Sequence, residues 1–174
     1  MNRLALLLAP AALAWSAAAR AAEPPLVNTI VIEASPAAVW KAFTTREGAE
    51  AWMVAHAEID LRVGGAMKTH YSKDGVIGDA GSIENAILAF DPEKMLAIRN
   101  VKSPASFPFK TAFPRAWTII YLEPLEGGKT RVTCKGLGWE SDEESRRCRA
   151  FFDAGNQLTL ERWKKYCERP GAER

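Results

Sequence analysis

Residues 141–168, SDEESRRCRAFFDAGNQLTLERWKKYCE, carry the signals of one long helix. Ser141 stands three residues before Glu144, the spacing of a capping box in which a hydroxyl and a carboxylate each accept a free backbone N–H. Acidic side chains stand at the positive end of the helix dipole, and two lysines stand near its negative end. We therefore predict a helix from Asp142 to Glu168, about 40 Å long at a rise of ~1.5 Å per residue.

This predicted helix has one apolar face, which a broad and concave partner must cover. Apolar or small residues recur along it at helical spacing: Cys148, Phe151, Phe152, Gly155, Leu158, Thr159, Trp163 and Tyr166. Gly155, in the middle of the face, costs about 1 kcal/mol relative to alanine. Either the missing side chain leaves room for a ligand, or it lets the helix pack closely on its neighbour.

The chain before this helix has the pattern of antiparallel strands. We predict a strand at 26–33 and two short helices, one beginning at Ser35-Pro36 and one spanning 47–53. Three hairpins follow, around turns at 64–65, 91–94 and 126–129. One strand, two short helices, about six further strands and a closing helix indicate the α+β class.

The first 21 residues have the three parts of a secretory signal peptide. Met1-Asn2-Arg3 is basic, residues 4–14 are apolar, and Ala19-Arg20-Ala21 is a small-x-small cleavage signal. A proline and the shortage of strongly apolar residues make this segment a poor membrane span. We expect a leader at 1–21 and one domain at 22–174, periplasmic or secreted. The alternative is an uncleaved amphipathic anchor.

The expected mature chain carries no net charge. The full sequence has 23 basic and 21 acidic side chains. Residues 1–21 hold two of the arginines and no acid, which leaves 21 side chains of each sign. Neutrality argues against nucleic acid as a partner, because nucleic-acid binding requires a basic surface. It also indicates no acidic partner.

The three cysteines are an odd number for an exported protein. Cys148 and Cys167 are 19 residues apart on one predicted helix, about 28 Å, which forbids a bridge between them. Cys134 could pair with either one. The alternative is that all three are small, buried, reduced side chains.

His56 and His70 are the two histidines of the sequence, on strands predicted to be neighbours. Alternation puts them in the same phase as Glu58, Asp60 and Lys68, which suggests the solvent face. We therefore expect surface or rim histidines rather than a metal site.

The strong catalytic signatures are absent: the sequence has no G-x-S-x-G, G-x-G-x-x-G, phosphate loop, H-E-x-x-H or C-x-x-C. Nothing implies a cofactor. Most tryptophans and tyrosines are expected in the core, although Trp117 and Tyr121 could offer a hydrogen bond inside a pocket. Glu84, Asn85 and Arg99 are further candidates for a polar group there, with a solvated position as the alternative.

Two turns and the closing helix carry a resemblance to a known superfamily. The turns are Asp60-Leu61-Arg62-Val63-Gly64-Gly65-Ala66 and Asp91-Pro92-Glu93-Lys94-Met95-Leu96. In order and spacing, these elements resemble the START-like superfamily, and the chain looks most like the heat-shock-protein ATPase activator type of SRPBCC domain. The resemblance covers residues 27–166. It implies a helix-grip fold, in which a curved antiparallel sheet of six to seven strands wraps the long C-terminal helix around an apolar cavity.

The resemblance leaves the function open, because the superfamily includes lipid carriers, plant-allergen-like binders, polyketide cyclases and co-chaperones. Bacterial members of this type are mostly cytoplasmic, so a secretory leader argues against a co-chaperone role. Residues 102–115 form a longer loop than a hairpin needs, rich in phenylalanine and proline. This composition excludes a central strand and suggests a lid over the cavity.

We expect an exported domain, monomeric or weakly dimeric, that binds a small apolar or aromatic molecule or a lipid without a cofactor or metal. The alternatives are an acid–base enzyme of cyclase or hydratase type and a co-chaperone-like interaction module with an exposed apolar patch. The candidate ligand contacts are Trp52, Phe109, Trp117, Tyr121, Phe152, Gly155, Thr159 and Trp163.

Overall fold

The computed structural model describes residues 23–171. The expected leader at 1–21 lies outside this range. Within it, the elements in chain order are β1 (Leu26–Ile32), α1 (Pro36–Thr44), α2 (Arg46–Trp52), β2 (His56–Ile59), β3 (Ala66–His70), β4 (Ile83–Asp91), β5 (Met95–Lys102), α3 (Ala112–Arg115), β6 (Trp117–Leu125), β7 (Lys129–Leu137) and α4 (Glu143–Cys167).

The strands form one curved antiparallel sheet in the order β1-β7-β6-β5-β4-β3-β2. From β2 to β7 each strand pairs with the next along the chain, as three successive hairpins require. β1 pairs with β7, from Leu26 opposite Gly136 to Ile32 opposite Thr130. The first strand is therefore beside the last one, next to α4. The predicted α+β class and the long closing helix are confirmed.

The two short helices begin where their capping residues predict. Ser35 Oγ accepts the N–H of Ala38 at 3.3 Å, and a proline fills the first helical position of α1. Thr45 Oγ1 accepts the N–H of Gly48 at 3.0 Å and starts α2. These caps turn the chain twice, so that α1 and α2 reach the core beside α4.

The main core lies between the concave face of the sheet and α4. Trp163 is 1% exposed, and its ring stacks 4.9 Å from Phe43 of α1 and 5.6 Å from Trp52 of α2. Leu160, one position outside the predicted stripe, is equally buried. A second cluster of buried apolar side chains, which includes Trp139 and Cys148, lies at the N-terminal end of α4.

The predicted capping box at Ser141 is wrong, because the N-cap of α4 is Asp142. Asp142 Oδ1 accepts the N–H of Ser145 at 2.9 Å, whereas Ser141 stands outside the helix. The Glu144 carboxylate turns away from the helix and accepts the backbone N–H of Thr111 at 2.9 Å. Tertiary contacts with α3 thus take the carboxylate that the local motif would use.

The predicted apolar face of α4 is too wide. Phe151 is 52% and Leu158 is 50% exposed, whereas the buried side is centred on Cys148, Leu160 and Trp163. Helical spacing alone cannot separate a buried stripe from its edges, since residues three and four apart both satisfy it.

The three cysteines are buried free thiols, so the interpretation as reduced core residues is confirmed.

The expected solvent position of His70 is also wrong. His56 and His70 are directly opposite each other on β2 and β3, and the loop after β3 covers His70, which is 6% exposed. The N–H of Ser72 donates to His70 Nδ1 at 3.0 Å, and Nε2 lies 3.1 Å from Asp79 Oδ1. A side chain at Gly75 would collide with this ring. Strand alternation could not reveal that a loop covers this end of the sheet.

Candidate functional site

A cavity of about 180 Å³ lies where the concave face of the sheet meets α4. Side chains of α1, α3, α4 and the four strands from β4 to β7 surround it. The lining residues are Phe43, Met53, Asn85, Ile98, Asn100, Phe113, Ala116, Trp117, Thr118, Ile120, Cys134, Gly136, Trp139, Phe152, Asn156, Thr159, Leu160 and Trp163.

Strand alternation decides which residues of the sheet reach the cavity. Thr118 and Ile120 of β6 are opposite Gly136 and Cys134 of β7, and all four line the cavity. Successive residues of a strand point to opposite faces. Tyr121 accordingly lies on the outer face of the sheet, where it is 41% exposed.

The α4 wall follows helical spacing. Phe152, Asn156, Thr159 and Trp163 are three or four residues apart and line the cavity along one side of the helix. Gly155 is not among the lining residues, but a Cβ at this position would meet nothing within 4 Å. The interpretation of Gly155 as a close helix-to-sheet contact is therefore wrong.

The lid-like segment 102–115 covers one end of the cavity with aromatic rings. Phe113 stacks on Phe152 with their centroids 4.6 Å apart, and Phe113 lines the cavity. The ring centroid of Phe107 lies 5.5 Å from that of Phe109 and 5.8 Å from that of Phe151. The apolar composition of this segment thus serves a packed cluster against the first turns of α4.

Polar contacts latch the segment to the start of α4. The Glu144 carboxylate accepts the Thr111 hydroxyl and the backbone N–H groups of Thr111 and Ala112. Arg115 Nη2 donates to Asp142 Oδ2 at 2.9 Å. The bond from the Thr111 hydroxyl is the main cause that lowers the pKa of Glu144 below its ordinary value of 4.5. We call this set of contacts the latch.

Three asparagines bring amide groups to the cavity wall. Asn100 is internally satisfied, since its Nδ2 donates to Lys102 O at 2.9 Å and its Oδ1 accepts the Ser103 hydroxyl at 2.7 Å. Asn85 accepts from Asn100 at 3.3 Å. Asn156 Nδ2 donates to Asn28 Oδ1 at 3.1 Å, and this bond orients the Asn156 amide.

Two buried indole N–H groups beside the cavity have no hydrogen-bond partner among the described residues, those of Trp139 and Trp163. The Trp163 indole lies next to a weak acceptor, the Cys167 thiol. Burial raises the pKa of that thiol to about 11, and the Trp163 N–H opposes the rise. Trp139 is 3% exposed, and a Cβ at Gly136 would lie 3.1 Å from its Nε1. Its N–H edge therefore overlies the part of β7 that lines the cavity.

The lining carries no charge at neutral pH. Among the lining residues that the structure describes, none is an aspartate, glutamate, lysine, arginine, histidine or tyrosine. Burial raises the pKa of the Cys134 thiol to about 12, so this group is protonated. The carboxylate or tyrosine that an acid–base enzyme would need is not part of this wall.

The predicted contact residues divide between the cavity and its surroundings. Trp117, Phe152, Thr159 and Trp163 line it. The other four lie elsewhere: Trp52 stacks behind Trp163, Phe109 packs in the aromatic cluster of segment 102–115, Gly155 faces open space and Tyr121 is on the outer sheet face. Of the polar candidates, Asn85 is at the wall, whereas Glu84 and Arg99 are not. Ligand contact by any of these residues stays a prediction.

Sequence reasoning missed Trp139 and Asn156 as wall residues. Asn156 is one helical turn after Phe152, so helical spacing could have found it. An asparagine in a charged helix is more often solvated, however. Trp139 follows β7 in a short connection, and no local pattern indicates that its N–H lacks an acceptor.

Neither a membrane-spanning helix nor a metal-binding cluster is found among the described residues, 23–171. No helix there is long and apolar enough to cross a membrane. No cluster of three or more histidine, cysteine, aspartate or glutamate side chains in this range could hold a metal ion.

Comparison with known proteins identifies the family. The model of the family described as Activator of Hsp90 ATPase homolog 1-like protein (AHSA1) matches residues 33–168. No curated protein gives a significant match.

Solved structures share the fold at low sequence identity. A Mesorhizobium loti protein is 20% identical with a TM-score of 0.64, over 81% of this chain and 94% of its own. A Nitrosomonas europaea protein is 20% identical with a TM-score of 0.63, over 83% and 94%. The Aha1 dimer from Colwellia psychrerythraea is 20% identical with a TM-score of 0.58, over 79% and 93%. The family match spans most of the chain, and the chain belongs to the family of Activator of Hsp90 ATPase homolog 1-like proteins.

Proposed function

We propose that the protein binds a small, mostly apolar molecule in the cavity between the sheet and α4. The observation that carries this proposal is a space of about 180 Å³ between the sheet and α4 that is lined mostly by aromatic and aliphatic side chains. Tight packing leaves few voids larger than a water molecule in ordinary protein interiors. A space of this size beside a packed core is therefore more than a packing defect.

The volume limits the size of the ligand. An engineered apolar cavity of about 150 Å³ in another protein binds benzene, whereas pockets for drug-sized molecules hold about 300 to 1,000 Å³. A cavity of about 180 Å³ therefore suits a single substituted ring or a short branched chain. It favours such a molecule over a lipid with a full acyl chain.

Access to the cavity would run past the lid. Phe113 belongs both to the cavity wall and to the latched segment, and Ala116, the residue directly after that segment, also lines the cavity. Opening the latch would expose the space without disturbing the sheet. We expect this segment to have the lowest local stability around the cavity, since binding elements are drawn from the least stable parts of a fold.

We also propose that this binding takes place outside the cytoplasm. The proposal depends on the basic, apolar and small-residue parts of residues 1–21. The export proposal and the binding proposal are independent of each other.

Filling the cavity tests the binding proposal. Thr159 lies at the cavity wall, so Thr159→Phe should occupy the space and weaken binding of toluene at least tenfold. Leu158→Phe is the matched control, because the neighbouring Leu158 is 50% exposed. Thermal denaturation at increasing toluene concentrations measures the toluene affinity of both variants. A bound ligand stabilises the native state by RT ln(1 + [L]/Kd).

Two outcomes would contradict the proposal. Equal toluene stabilisation of Thr159→Phe and the parent chain would show that toluene binds elsewhere. The absence of any stabilisation by benzene, toluene or ethylbenzene in the parent would show that the cavity takes no ligand of the proposed size.

A second candidate function is docking to a protein through the outer sheet face. Its supporting observation is a shallow groove beside Tyr121, Met95 and Val27, where Tyr121 is 41% and Val27 is 53% exposed. The dimeric Aha1 relative makes self-association one form that such docking could take. Failure of the toluene titration would favour this candidate.

A further inference from the structure

The cavity wall carries a hydrogen-bond donor that no described residue uses. Trp139 is almost completely buried, and its Nε1 has no partner among the described residues. Native structures leave few buried donors unsatisfied, because each loses its hydrogen bonds to water without replacement. An acceptor that arrives with a ligand would remove this cost.

The position of Trp139 defines where such an acceptor would lie. Its ring centroid is 6.3 Å from that of Phe152, and Asn156 is one helical turn further along the same wall. Asn28 orients the Asn156 amide, and Asn28 in turn donates to Asp153 Oδ1 at 2.7 Å. The polar part of a ligand therefore belongs at this end, beside Gly136.

The absence of charge in the wall restricts the ligand further. No lining residue that the structure describes has a side chain charged at neutral pH, since the Cys134 thiol is protonated. Burying an ionised carboxylate or ammonium without a partner is strongly unfavourable. A neutral acceptor avoids that cost.

We propose that the cavity selects an uncharged molecule with one ring-sized apolar body and one carbonyl oxygen, which accepts the Nε1–H of Trp139. This inference rests on the proposed function and names the ligand class of the same cavity. Aryl ketones, aromatic aldehydes and small esters have this chemistry. Alkylbenzenes lack the acceptor, and aromatic acids bring an unpaired charge.

Three probes of similar size separate these possibilities: acetophenone, ethylbenzene and benzoate. We expect the full chain to bind acetophenone and ethylbenzene and to show no measurable affinity for benzoate at neutral pH. Trp139→Phe keeps an aromatic ring but removes the donor. This substitution should weaken the binding of acetophenone about fivefold to tenfold, the effect of one hydrogen bond. It should change the affinity for ethylbenzene by less than about twofold.

Trp40→Phe is the matched control. It removes an indole N–H from a ring that lies 6.4 Å from Phe90 and that does not line the cavity. Both affinities should be unchanged in this variant. Isothermal titration calorimetry measures all of them.

A measurement on the unaltered chain protects the test against a variant that fails to fold. The indole ¹H–¹⁵N resonance of Trp139 should shift downfield on addition of acetophenone and stay nearly in place with ethylbenzene. Single Trp→Phe variants at other positions assign the resonance by elimination.

The outcomes distinguish this inference from the proposal beneath it. If none of the three probes binds, the proposed function fails and the inference fails with it. If acetophenone and ethylbenzene bind but the indole resonance does not respond to the carbonyl, or Trp139→Phe weakens both equally, the donor role is wrong and the binding proposal stands. Benzoate binding as tight as that of acetophenone would overturn the selection for neutral molecules.

Discussion

Asp142 is the residue that starts α4, and its carboxylate has two roles. One oxygen accepts the N–H of Ser145 at 2.9 Å and the other accepts from Arg115 at 2.9 Å. The sequence expectation gave the capping role to Ser141, whose hydroxyl is one residue too early. The sequence Ser141-Asp142 offers two adjacent residues that could cap the helix. Asp142 is the cap in the structure, and its carboxylate also pairs with Arg115 of α3.

Substitution tests this assignment at the residue scale. Asp142→Ala should lower the free energy of unfolding by about 1 kcal/mol through loss of the cap. Ser141→Ala is the matched control and should change it by less than about 0.5 kcal/mol, the usual range for a surface position. Urea denaturation measures both, and a larger effect of Ser141→Ala would restore the original capping box.

Gly155 and Gly48 are helical glycines in opposite surroundings. A Cβ at Gly155 would meet nothing within 4 Å, whereas a Cβ at Gly48 would lie 2.7 Å from Ala42 O. Gly155→Ala should therefore stabilise the fold by about 1 kcal/mol, the difference in helix propensity between the two residues.

Gly48→Ala serves as the comparison. This substitution gains the same helix propensity as Gly155→Ala, but its new Cβ would clash with the backbone oxygen of Ala42. It should destabilise the protein, since real Cβ atoms do not approach a backbone oxygen so closely. Thermal unfolding of both variants gives the sign of each effect. A destabilised Gly155→Ala variant would mean that α4 lies closer to a neighbour than the structure indicates.

At the scale of elements, the latch joins α3 to the first turn of α4. Hydrogen bonds from Thr111 and Ala112 lower the pKa of Glu144 below 4.5. A carboxyl whose pKa is lowered by folding contributes stability that is fully present above its unfolded pKa. This contribution disappears as the pH falls through the lowered value.

The pH dependence of one variant follows from this sign. Glu144→Gln should be less stable than the parent chain at pH 7, and the difference should shrink as the pH falls below about 4.5, the ordinary value for a glutamate. Glu143→Gln is the control, since Glu143 is the adjacent residue in the same turn of α4 and is exposed. Thermal midpoints between pH 7 and 3 measure the effect; a difference that does not vary with pH would exclude the latch as its source.

At the scale of the whole molecule, the family domain and the expected leader occupy separate parts of the chain. The family match begins at residue 33, so the expected leader precedes it entirely. Without residues 1–21 the basic and acidic side chains balance at 21 each. A neutral domain with an uncharged cavity suits a neutral ligand rather than an ionic one.

Export is the prediction that belongs to this scale. Expression of the full chain in a Gram-negative host should give mature protein in the periplasmic fraction, with its N-terminus at Ala22 or within a few residues of it. Edman sequencing or intact mass measures the cleavage site. Arg3→Glu reverses the basic start of the leader and should reduce export. Full-length protein with Met1 in the cytoplasmic fraction would contradict the proposal.

The sequence by itself determined the order of the strands and of the helices other than α3, the strand pairing by hairpins and the presence of one long helix at the end with Trp163 on its buried side. These features depend on local patterns: alternation in strands, 3.6-residue spacing in helices, and capping or turn residues at their ends. It also indicated that segment 102–115 is packed, because three phenylalanines in a proline-rich loop require an apolar environment; the role of this segment as a lid stays a prediction.

Tertiary structure alone decided which groups face the cavity. Tyr121 and Ile120 are adjacent in sequence, but the sheet sends one outside and the other to the wall. A loop buries His70, and α3 takes the Glu144 carboxylate from its own helix. The Trp139 N–H has no acceptor among the described residues because of what surrounds it in space. Local patterns report the period of an element, whereas a binding site depends on contacts between elements that are far apart in the chain.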